Sequence, residues 1–296
     1  ETNNTVKNVG LFDLTPFSKF EIKSDKAHQE LQKICTANIK NEPGKCVYTH
    51  MLNSDGGIEA DLTVVCVDKN HFRIISSAAT RERDKFHIKK HLSKDIELKD
   101  ITDDLCVFGL FGPKSRDLIK TLSKDNFDND NFKFATAKYI TIDGTKIWAQ
   151  RLSYVGELGY ELYVNIKDAK KIYELLIEKG KDFNLSNCGM HAMDIMRMES
   201  GFLHWGHDIS PEENQYQAGL SFTISKKKDV DFIGKKALEK IKKEKIKNKF
   251  AMFTLKESEP GKPLLLHDEP IYIDDEIIGR STSGNYSFNF KKNLVF

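Results

Sequence analysis

The alternation of apolar and polar residues predicts two β-hairpins in the first half of the chain. Residues 47–53 and 58–68 flank the turn sequence Ser-Asp-Gly-Gly, and a four-residue connection that contains glycine is typical of a hairpin. Residues 139–142 and 145–154 flank an Asp-Gly pair, which is the strongest short hairpin signal. Each pair of segments is therefore predicted to form two antiparallel strands.

Two of the predicted strands carry polar side chains on one face. After the first turn the even-numbered positions are apolar, whereas Glu59, Asp61 and Thr63 share the opposite face. Farther along, Glu161 and Tyr163 share a face in the same way. An antiparallel strand commonly exposes such groups to water, but a glutamate walled in beside aromatic rings would need a ligand that supplies donors. For the first strand the solvent-exposed interpretation is preferred, whereas for Glu161 the pattern leaves both interpretations open.

Helices and strands mix through residues 1–228, which predicts a first domain of the α+β class. Apolar residues recur at helical spacing in residues 169–176, with a glycine four residues later, and another helix is expected after Pro113. The lysine-rich residues 226–249 predict a solvated amphipathic helix at the domain boundary. Residues 229–296 are then predicted to form a smaller, mostly β domain. Its strand-like stretches are 250–255, 271–273 and 277–279.

Composition and charge narrow the class of protein. The 46 basic residues nearly cancel the 44 acidic ones, which argues against a dedicated nucleic-acid-binding protein. No apolar stretch approaches the ~20 residues of a membrane helix, and the start lacks the layout of a secretory signal. The five scattered cysteines favour free thiols over a disulfide framework. We therefore expect a soluble, cytoplasmic protein, and both chain ends suggest a piece of a longer polypeptide.

Familiar cofactor and metal motifs do not occur in the sequence. No Gly-x-Gly-x-x-Gly run follows a predicted strand, and the pair Gly261-Lys262 lacks the upstream glycine of a P-loop. His204, His207 and Asp208 are residue types that bind metals, but the metalloprotease pattern of two histidines around a glutamate is missing. A packed loop is the preferred interpretation, and no metal is assigned.

Six segments, in order and spread over nearly the whole chain, resemble the glycine-cleavage T-protein (aminomethyltransferase) superfamily. They are residues 10–13, 56–62, 109–114, 154–161, 194–199 and 282–284. Residues 47–53 and 204–209 are more similar to one branch, the folate-binding half of dimethylglycine and sarcosine dehydrogenases. Residues 204–209 read His-Trp-Gly-His-Asp-Ile, whereas the glycine-cleavage enzyme itself usually reads nearer Tyr-Gly-Asn-Asp.

The resemblance implies a fold and a chemistry. The fold is an α+β, three-lobed ring around a tetrahydrofolate cavity, with a C-terminal β-barrel lobe. The chemistry is one-carbon transfer, in which tetrahydrofolate captures carbon from an N-methyl amine, as an iminium or as formaldehyde, to give 5,10-methylenetetrahydrofolate. In glycine cleavage the carbon arrives instead as an aminomethyl group on lipoate. The implied partners are tetrahydrofolate and either a flavin dehydrogenase domain or subunit, which would carry FAD, or a lipoyl carrier protein.

The resemblance also assigns site residues. Asp61 matches the catalytic aspartate, which orients and deprotonates the bridge nitrogen of folate, and such proton transfer is typically worth ~100- to 10,000-fold in rate. Glu161 matches the residue that accepts an N–H and an amino group from the pterin edge. Arg197 matches an arginine near the benzoyl-glutamate part, but a salt bridge with Asp194 explains it equally well. Further matches to the folate cavity are Tyr48, Thr63, Ile75, Tyr154 and Tyr163.

Three hypotheses of function remain. The favoured one is a tetrahydrofolate-dependent transferase of the dimethylglycine or sarcosine dehydrogenase type, with the aminomethyltransferase of glycine cleavage as the near alternative. The second is a non-catalytic folate-binding protein that assists iron–sulfur proteins. Its Lys-Gly-Cys motif is not matched, because residues 44–46 read Gly-Lys-Cys, and Asp61 favours catalysis. The third is a domain that docks a partner through the lysine-rich helix. Gln217 stands where the family often has glutamate, so it receives no role.

Overall fold

The computed structural model describes residues 1–244 and 246–296 and has the α+β architecture that the sequence predicts. The strands are β1 (Val9–Asp13), β2 (Ser18–Lys23), β3 (Cys46–Leu52), β4 (Ile58–Asp68), β5 (His71–Ser76), β6 (Leu98–Asp100), β7 (Leu105–Phe111), β8 (Ala137–Ile142), β9 (Thr145–Gln150), β10 (Gly159–Asn165), β11 (Leu185–Cys188), β12 (Phe253–Thr254), β13 (Pro270–Ile273), β14 (Glu276–Arg280), β15 (Gly284–Ser287) and β16 (Lys292–Val295). The helices are α1 (Thr2–Lys7), α2 (Ala27–Ile34), α3 (Arg81–His91), α4 (Ser115–Leu122), α5 (Ala169–Gly180), α6 (Met190–Glu199) and α7 (Lys235–Lys243). Within these two ranges, every helix is too short or too polar to span a lipid bilayer.

Two sheets form the body of the molecule. Six strands lie in the order β11-β1-β7-β10-β9-β8, and five lie in the order β3-β4-β5-β2-β6. Helices α4 and α5 pack on the outer face of the six-stranded sheet, and α2 and α3 pack on the outer face of the five-stranded sheet. The inner faces share a core to which Cys46 and Val65 contribute from one sheet and Phe111 and Tyr163 from the other. The side chains of this shared core are therefore enclosed by both sheets.

Both predicted hairpins are confirmed. Strands β3 and β4 pair antiparallel around residues 53–57, and β8 and β9 pair around Asp143 and Gly144. These two turn residues have φ angles of 44° and 75°, as a tight hairpin turn requires. Strand β9 ends at Gln150, before the predicted residue 154, because residues 151–158 form the connection to β10.

The first hairpin contains a β-bulge that the sequence pattern does not reveal. Leu52 lies opposite Ile58, but one step along the strand Met51 lies opposite Ala60, so β4 holds an extra residue at this point. The bulge shifts the register of all the following pairs. As a result, the residue opposite Asp61 is His50.

Two predicted helices are confirmed, one of them with shorter limits. The helix that starts at Ala169 runs to Gly180 as α5. The lysine-rich helix is α7, which covers only Lys235–Lys243, and Lys245 of that segment lies outside the described residues. Leu238 is its buried residue and belongs to a core cluster with Leu52 and Leu294, so α7 packs between the first hairpin and the C-terminal strands.

The C-terminal part of the chain forms two small sheets. One has the order β12-β16-β15, and the other pairs β13 with β14. The predicted strands near residues 271–273 and 277–279 are present as β13 and β14, whereas the predicted strand 250–255 is reduced to Phe253–Thr254. The closed β-barrel that the resemblance implies is not confirmed by residues 246–296.

Candidate functional site

One row of residues crosses the inner face of the five-stranded sheet. Thr63 lies opposite Tyr48 on β3 and opposite Ile75 on β5. Because paired residues of an antiparallel sheet point to the same side, these three predicted contact residues share one face. Asp61 lies two residues from Thr63 on β4 and joins them on that face. The structure thus brings together four of the residues that the resemblance assigns to the folate cavity.

Asp61 is surrounded by polar groups of neutral residues rather than by a cation. Its Oδ1 atom lies 3.8 Å from His50 Nε2, and the Tyr48 hydroxyl lies 3.3 Å from the same nitrogen. On its other side, His50 Nδ1 lies 3.0 Å from the hydroxyl of Thr223. Burial lowers the pKa of His50 to about 3. The imidazole is therefore neutral near pH 7 and does not act as a counter-ion for Asp61.

The ionisation of Asp61 is tuned by its surroundings. Burial raises its pKa to about 7 despite the opposing effect of the Tyr48 hydroxyl, and the charge of Asp84 on α3 acts in the same direction as burial. Asp84 is itself buried, and burial raises its pKa to about 6. Its Oδ2 atom accepts a 2.6 Å hydrogen bond from Thr80. The Asp61 side chain nevertheless keeps 15% exposure, so the carboxylate is enclosed and still reachable.

Glu161 occupies the inner face of the six-stranded sheet. Its Oε2 atom accepts a 2.8 Å hydrogen bond from the Tyr163 hydroxyl, which is the side-chain donor that the described residues supply to it. Burial raises the pKa of Glu161 to about 7, although the Tyr163 hydroxyl opposes the shift. Burial, together with the charge of Glu161, also raises the pKa of Tyr163 well above its usual range. Glu161 is thus a second enclosed carboxylate without a cationic partner at hydrogen-bond distance.

Arg73, on β5 of the five-stranded sheet, packs against the ring of Tyr163. The guanidinium of Arg73 lies 5.7 Å from the centre of the Tyr163 ring and 6.0 Å from that of Trp148. Arg73 itself is paired with buried Glu21, at 2.8 Å between Nη2 and Oε1. Its charge is therefore matched inside its own sheet, and it contacts the aromatic rings rather than the Glu161 carboxylate.

The two carboxylates lie toward opposite ends of an elongated site. Glu161 accepts a hydrogen bond from Tyr163, which packs in one core with Cys46 at the start of β3. Asp61 lies instead beside His50, four residues farther along that strand. Four residues of strand span ~13 Å. Tyr48 lies between these ends and keeps 40% exposure.

Tyr154 and Arg197 reach the site region but are held by protein groups. The Tyr154 hydroxyl donates a 2.6 Å hydrogen bond to the Leu203 carbonyl oxygen. Arg197 is 2% exposed, and its guanidinium donates to Asp194, Asp208, the Phe202 carbonyl and Ser283, at distances of 2.5–3.1 Å. The salt bridge with Asp194 that the sequence offered as an alternative is therefore present, and the described residues alone account for the charge of Arg197.

The histidine segment that follows α6 forms a packed loop. The rings of His204 and His207 stack at 4.4 Å. Both oxygens of the Asp208 carboxylate are occupied, one by Arg197 and the His204 backbone, the other by Thr282 and Ser283. Among residues 1–244 and 246–296, no group of three histidine, cysteine or acidic side chains is arranged to hold a metal ion. All five cysteines carry free thiols.

Sequence reasoning missed two residues that shape the Asp61 end. His50 lies inside the segment 47–53 that carries the family resemblance, so a signal existed, but its position opposite Asp61 depends on the β-bulge. Asp84 lies on α3, outside every motif that the sequence analysis used, and only the packing of that helix brings its charge near Asp61. Two shallow surface depressions, near Lys45 and near Lys228, contain none of the site residues.

Comparison with known proteins identifies the family of this chain. A family model described as the GCVT N-terminal domain matches residues 1–228. Among curated relatives, 4-methylaminobutanoate oxidase (formaldehyde-forming) from Paenarthrobacter nicotinovorans is 36% identical over 94% of this chain. Mitochondrial dimethylglycine dehydrogenase from Rattus norvegicus is 33% identical over 100% of this chain. This chain spans 34% of the length of each of these two proteins.

A shorter relative and a solved structure cover more of their own length. The aminomethyltransferase of Halothermothrix orenii is 33% identical, over 97% of this chain and 79% of that protein. The crystal structure of the glycine cleavage system aminomethyltransferase T from Bartonella henselae superposes with a TM-score of 0.86 at 21% identity, and the match covers 99% of this chain and 79% of that one. The chain therefore has the T-protein fold and belongs to the glycine-cleavage T-protein (GCVT) family.

Proposed function

We propose that this chain is a tetrahydrofolate-dependent one-carbon transferase that acts as the folate-binding part of a dimethylglycine or sarcosine dehydrogenase type of enzyme. The observation that carries the proposal is the pair of enclosed carboxylates, Asp61 and Glu161, each with a pKa of about 7 and neither neutralised by a cation among residues 1–244 and 246–296. Burying a carboxylate without a partner is costly. Such groups persist at sites where a ligand supplies the missing donors.

Glu161 fits the edge of a pterin ring. A carboxylate offers about four acceptor positions, and Tyr163 occupies one of them on Oε2. An N–H and an amino group presented side by side would each donate to a remaining position, in the paired geometry that guanidinium groups also use. The aromatic rings of Tyr163 and Trp148, backed by Arg73, form a wall suited to a flat heterocycle.

Asp61 fits the role of proton acceptor. Tetrahydrofolate, when bound, supplies the two amine nitrogens that receive the one-carbon unit. Asp61 would accept a hydrogen bond from one of them and take its proton as the new carbon–nitrogen bond forms. A base is most effective when its pKa lies near the working pH, and the pKa of Asp61 is about 7. His50, with a pKa of about 3, is too weak a base for this step and would serve to orient Asp61.

The carbon donor that we favour is an N-methyl amine, oxidised by a flavin domain or subunit that carries FAD. Two observations support this choice over glycine cleavage. The names of the relatives at 36% and 33% identity describe an oxidase that forms formaldehyde and a dimethylglycine dehydrogenase. Residues 47–53 and 204–209 are also more similar to that branch. The alternative, aminomethyl transfer from a lipoyl carrier protein, is supported by an aminomethyltransferase at 33% identity.

The test combines binding with turnover. Calorimetric titration with tetrahydrofolate should give micromolar binding that Glu161→Ala abolishes. Asp61→Asn should keep the affinity within a few-fold but slow formation of 5,10-methylenetetrahydrofolate from formaldehyde by at least ~100-fold, the lower range for a lost general base. Asp55→Asn, in the exposed turn of the same hairpin, is the matched control and should change neither quantity. Full activity of Asp61→Asn would contradict the assignment of Asp61 as the proton acceptor.

A second assay separates the two carbon donors. Supplied with aminomethylated lipoyl protein, a glycine-cleavage enzyme should release ammonia in proportion to the methylenetetrahydrofolate formed. We expect this chain instead to use formaldehyde, or the product of a flavin amine dehydrogenase, and to release no ammonia. The glycine-cleavage alternative would be favoured if the lipoyl substrate released ammonia and gave methylenetetrahydrofolate faster than formaldehyde does. Binding without any turnover would favour the non-catalytic hypothesis.

A further inference from the structure

Gln150 is the buried polar side chain nearest in register to Glu161. It is the last residue of β9 and lies directly opposite Glu161 of β10. In an antiparallel pair, side chains that face each other have Cβ atoms about 4.5–5.5 Å apart and point to the same side. Both side chains are long enough to meet at their polar ends. Gly109 lies on the other side of Glu161, on β7, and offers no side chain.

The amide of Gln150 has no hydrogen-bond partner among the described residues. The residue is 0% exposed, and neither Oε1 nor Nε2 is bonded. Leaving a buried amide unbonded is costly, and most such groups in native proteins are satisfied by protein, water or ligand. Trp148, two residues earlier on the same face, also has an unbonded indole N–H. Gln150 is thus beside Glu161 in register and two residues from Trp148, but its amide is within hydrogen-bond distance of neither the carboxylate nor the indole N–H.

We propose that Gln150 is a positioning residue for Glu161: on rotation of the Gln150 side chain, its Nε2–H donates a hydrogen bond to the ionised Glu161 carboxylate. With Nε2 directed toward Glu161, the Oε1 atom remains as an acceptor, and the Trp148 N–H is an unbonded donor on the same face. The contact also completes the acceptor positions of the carboxylate. Tyr163 takes one position, two remain for a ligand that presents paired donors, and Gln150 takes the fourth.

Few other charged groups lie close enough to Glu161 to set its ionisation. On its own strand the neighbour is Tyr163, which donates to Oε2. From β3 the Cys46 thiol faces it, and burial keeps that thiol protonated by raising its pKa. From β5, Arg73 faces the Tyr163 ring and is paired with Glu21. A hydrogen bond that favours the ionised form lowers the pKa of a carboxyl group, so loss of the Gln150 contact should raise the pKa of Glu161.

The direct test follows the Glu161 carboxyl itself and needs no folate. The protein is labelled with ¹³C at the glutamate carboxyl, and the Glu161 signal is assigned by its loss in Glu161→Gln. In Gln150→Leu we expect the Glu161 pKa to rise by about one unit, a tenfold change in the ionisation equilibrium. Gln32→Leu is the matched control, because Gln32 is a buried amide whose Nε2 already has partners at Asn38 and Ile39, away from the site. It should leave the Glu161 pKa unchanged.

A second readout extends the test to the proposed function. The ligand is 5-formyltetrahydrofolate, a stable reduced folate, titrated between pH 6 and pH 9 in an Asp61→Asn background so that Asp61 does not titrate. Paired donors need an ionised Glu161, so Gln150→Leu should bind about tenfold more weakly at pH 6, matching the one-unit shift, and almost normally at pH 9. Gln150→Asn, whose amide is one carbon shorter, serves if the leucine variant does not fold and should shift the profile in the same direction.

The outcomes separate this inference from the proposed function, on which its ligand arm rests. An unchanged Glu161 pKa in both Gln150 variants would overturn the positioning role, even if the parent protein binds folate. A raised pKa together with no folate binding by the parent protein would keep the positioning role and reject the proposed function. Equal weakening of binding at pH 6 and pH 9 would show that Gln150 only supports the fold, and would also overturn the proposal.

Discussion

Two buried clusters of charge in this molecule have opposite arrangements of partners. Around Arg197 every charge is matched: Asp194 and Asp208 accept from the guanidinium, and Ser283, Thr282 and backbone groups complete the set. Around Asp61 and Glu161 no cation lies within hydrogen-bond distance among the described residues, and burial raises both pKa values to about 7. The first cluster is self-sufficient, whereas the second lacks donors that a ligand would supply. This difference separates a structural charge from a candidate site better than burial does.

The largest effect should come from breaking the matched cluster. Arg197→Met keeps much of the side-chain volume but leaves the buried carboxylate of Asp208 without its cation. Removing one partner of a buried ion pair commonly costs about 3–5 kcal/mol. We expect a loss of that size in the free energy of unfolding, measured by urea denaturation at pH 7. Lys235→Ala, which removes the exposed pair between Lys235 of α7 and Asp231, is the contrast and should leave the free energy of unfolding almost unchanged. Similar losses in the two variants would contradict the comparison.

Removing a charge from the cluster around Asp61 and Glu161 should raise the free energy of unfolding rather than lower it. The pKa of Asp61 is raised in the folded state, so between about pH 4 and pH 7 the folded protein binds more protons than the unfolded chain. The contribution of the Asp61 carboxyl to stability is therefore largest at low pH and falls as pH rises through that window. Asp61→Asn removes the ionisation and should stabilise the protein at pH 8 by about 2 kcal/mol, with little effect at pH 4. Urea denaturation at both values, with Asp55→Asn as the control, measures the difference. A variant less stable than its parent at pH 8 would show that Asp61 is already matched.

The sequence was sufficient for the strands that carry the candidate site and for the faces on which several of the predicted residues lie. The alternation from Ile58 to Cys66 predicts the face on which Asp61 lies, and the structure buries the apolar face as expected. The pairing between Glu161 and Tyr163 also follows from strand periodicity, and their hydrogen bond confirms a shared face. Local patterns predict these features because a two-residue repeat fixes the side to which each side chain points.

The partners of these residues could not be predicted, because they depend on register and on distant contacts. Without the bulge after Met51, Tyr48 would lie opposite Leu62, one of the apolar core residues, rather than opposite Thr63. An unmarked insertion of this kind carries no sequence pattern of its own. Arg197 presents the second difficulty. Its match to the family suggests a ligand contact, but Ser283, 86 residues away, occupies its guanidinium, and no local periodicity contains that information.

The smallest expected effect compares two tyrosines, one bonded to Glu161 and the other to a backbone carbonyl. Tyr163 donates to the carboxylate of Glu161, and Tyr154 donates to the backbone carbonyl of Leu203. Tyr163→Phe removes a hydrogen bond that favours the ionised carboxylate, so the Glu161 pKa should rise. Its cost of about 1 kcal/mol should then appear at pH 8 and shrink by at least half at pH 5, where Glu161 is protonated.

Tyr154→Phe should cost about the same at both pH values, because a carbonyl oxygen does not titrate in this range. Urea denaturation of the two variants at pH 5 and pH 8 provides the measurement, with each variant as the other's control. If the cost of Tyr163→Phe did not depend on pH, Glu161 would keep one ionisation state across the range. The contrast between the two clusters would then not hold for Glu161, and the argument for a bound ligand would rest on Asp61 alone.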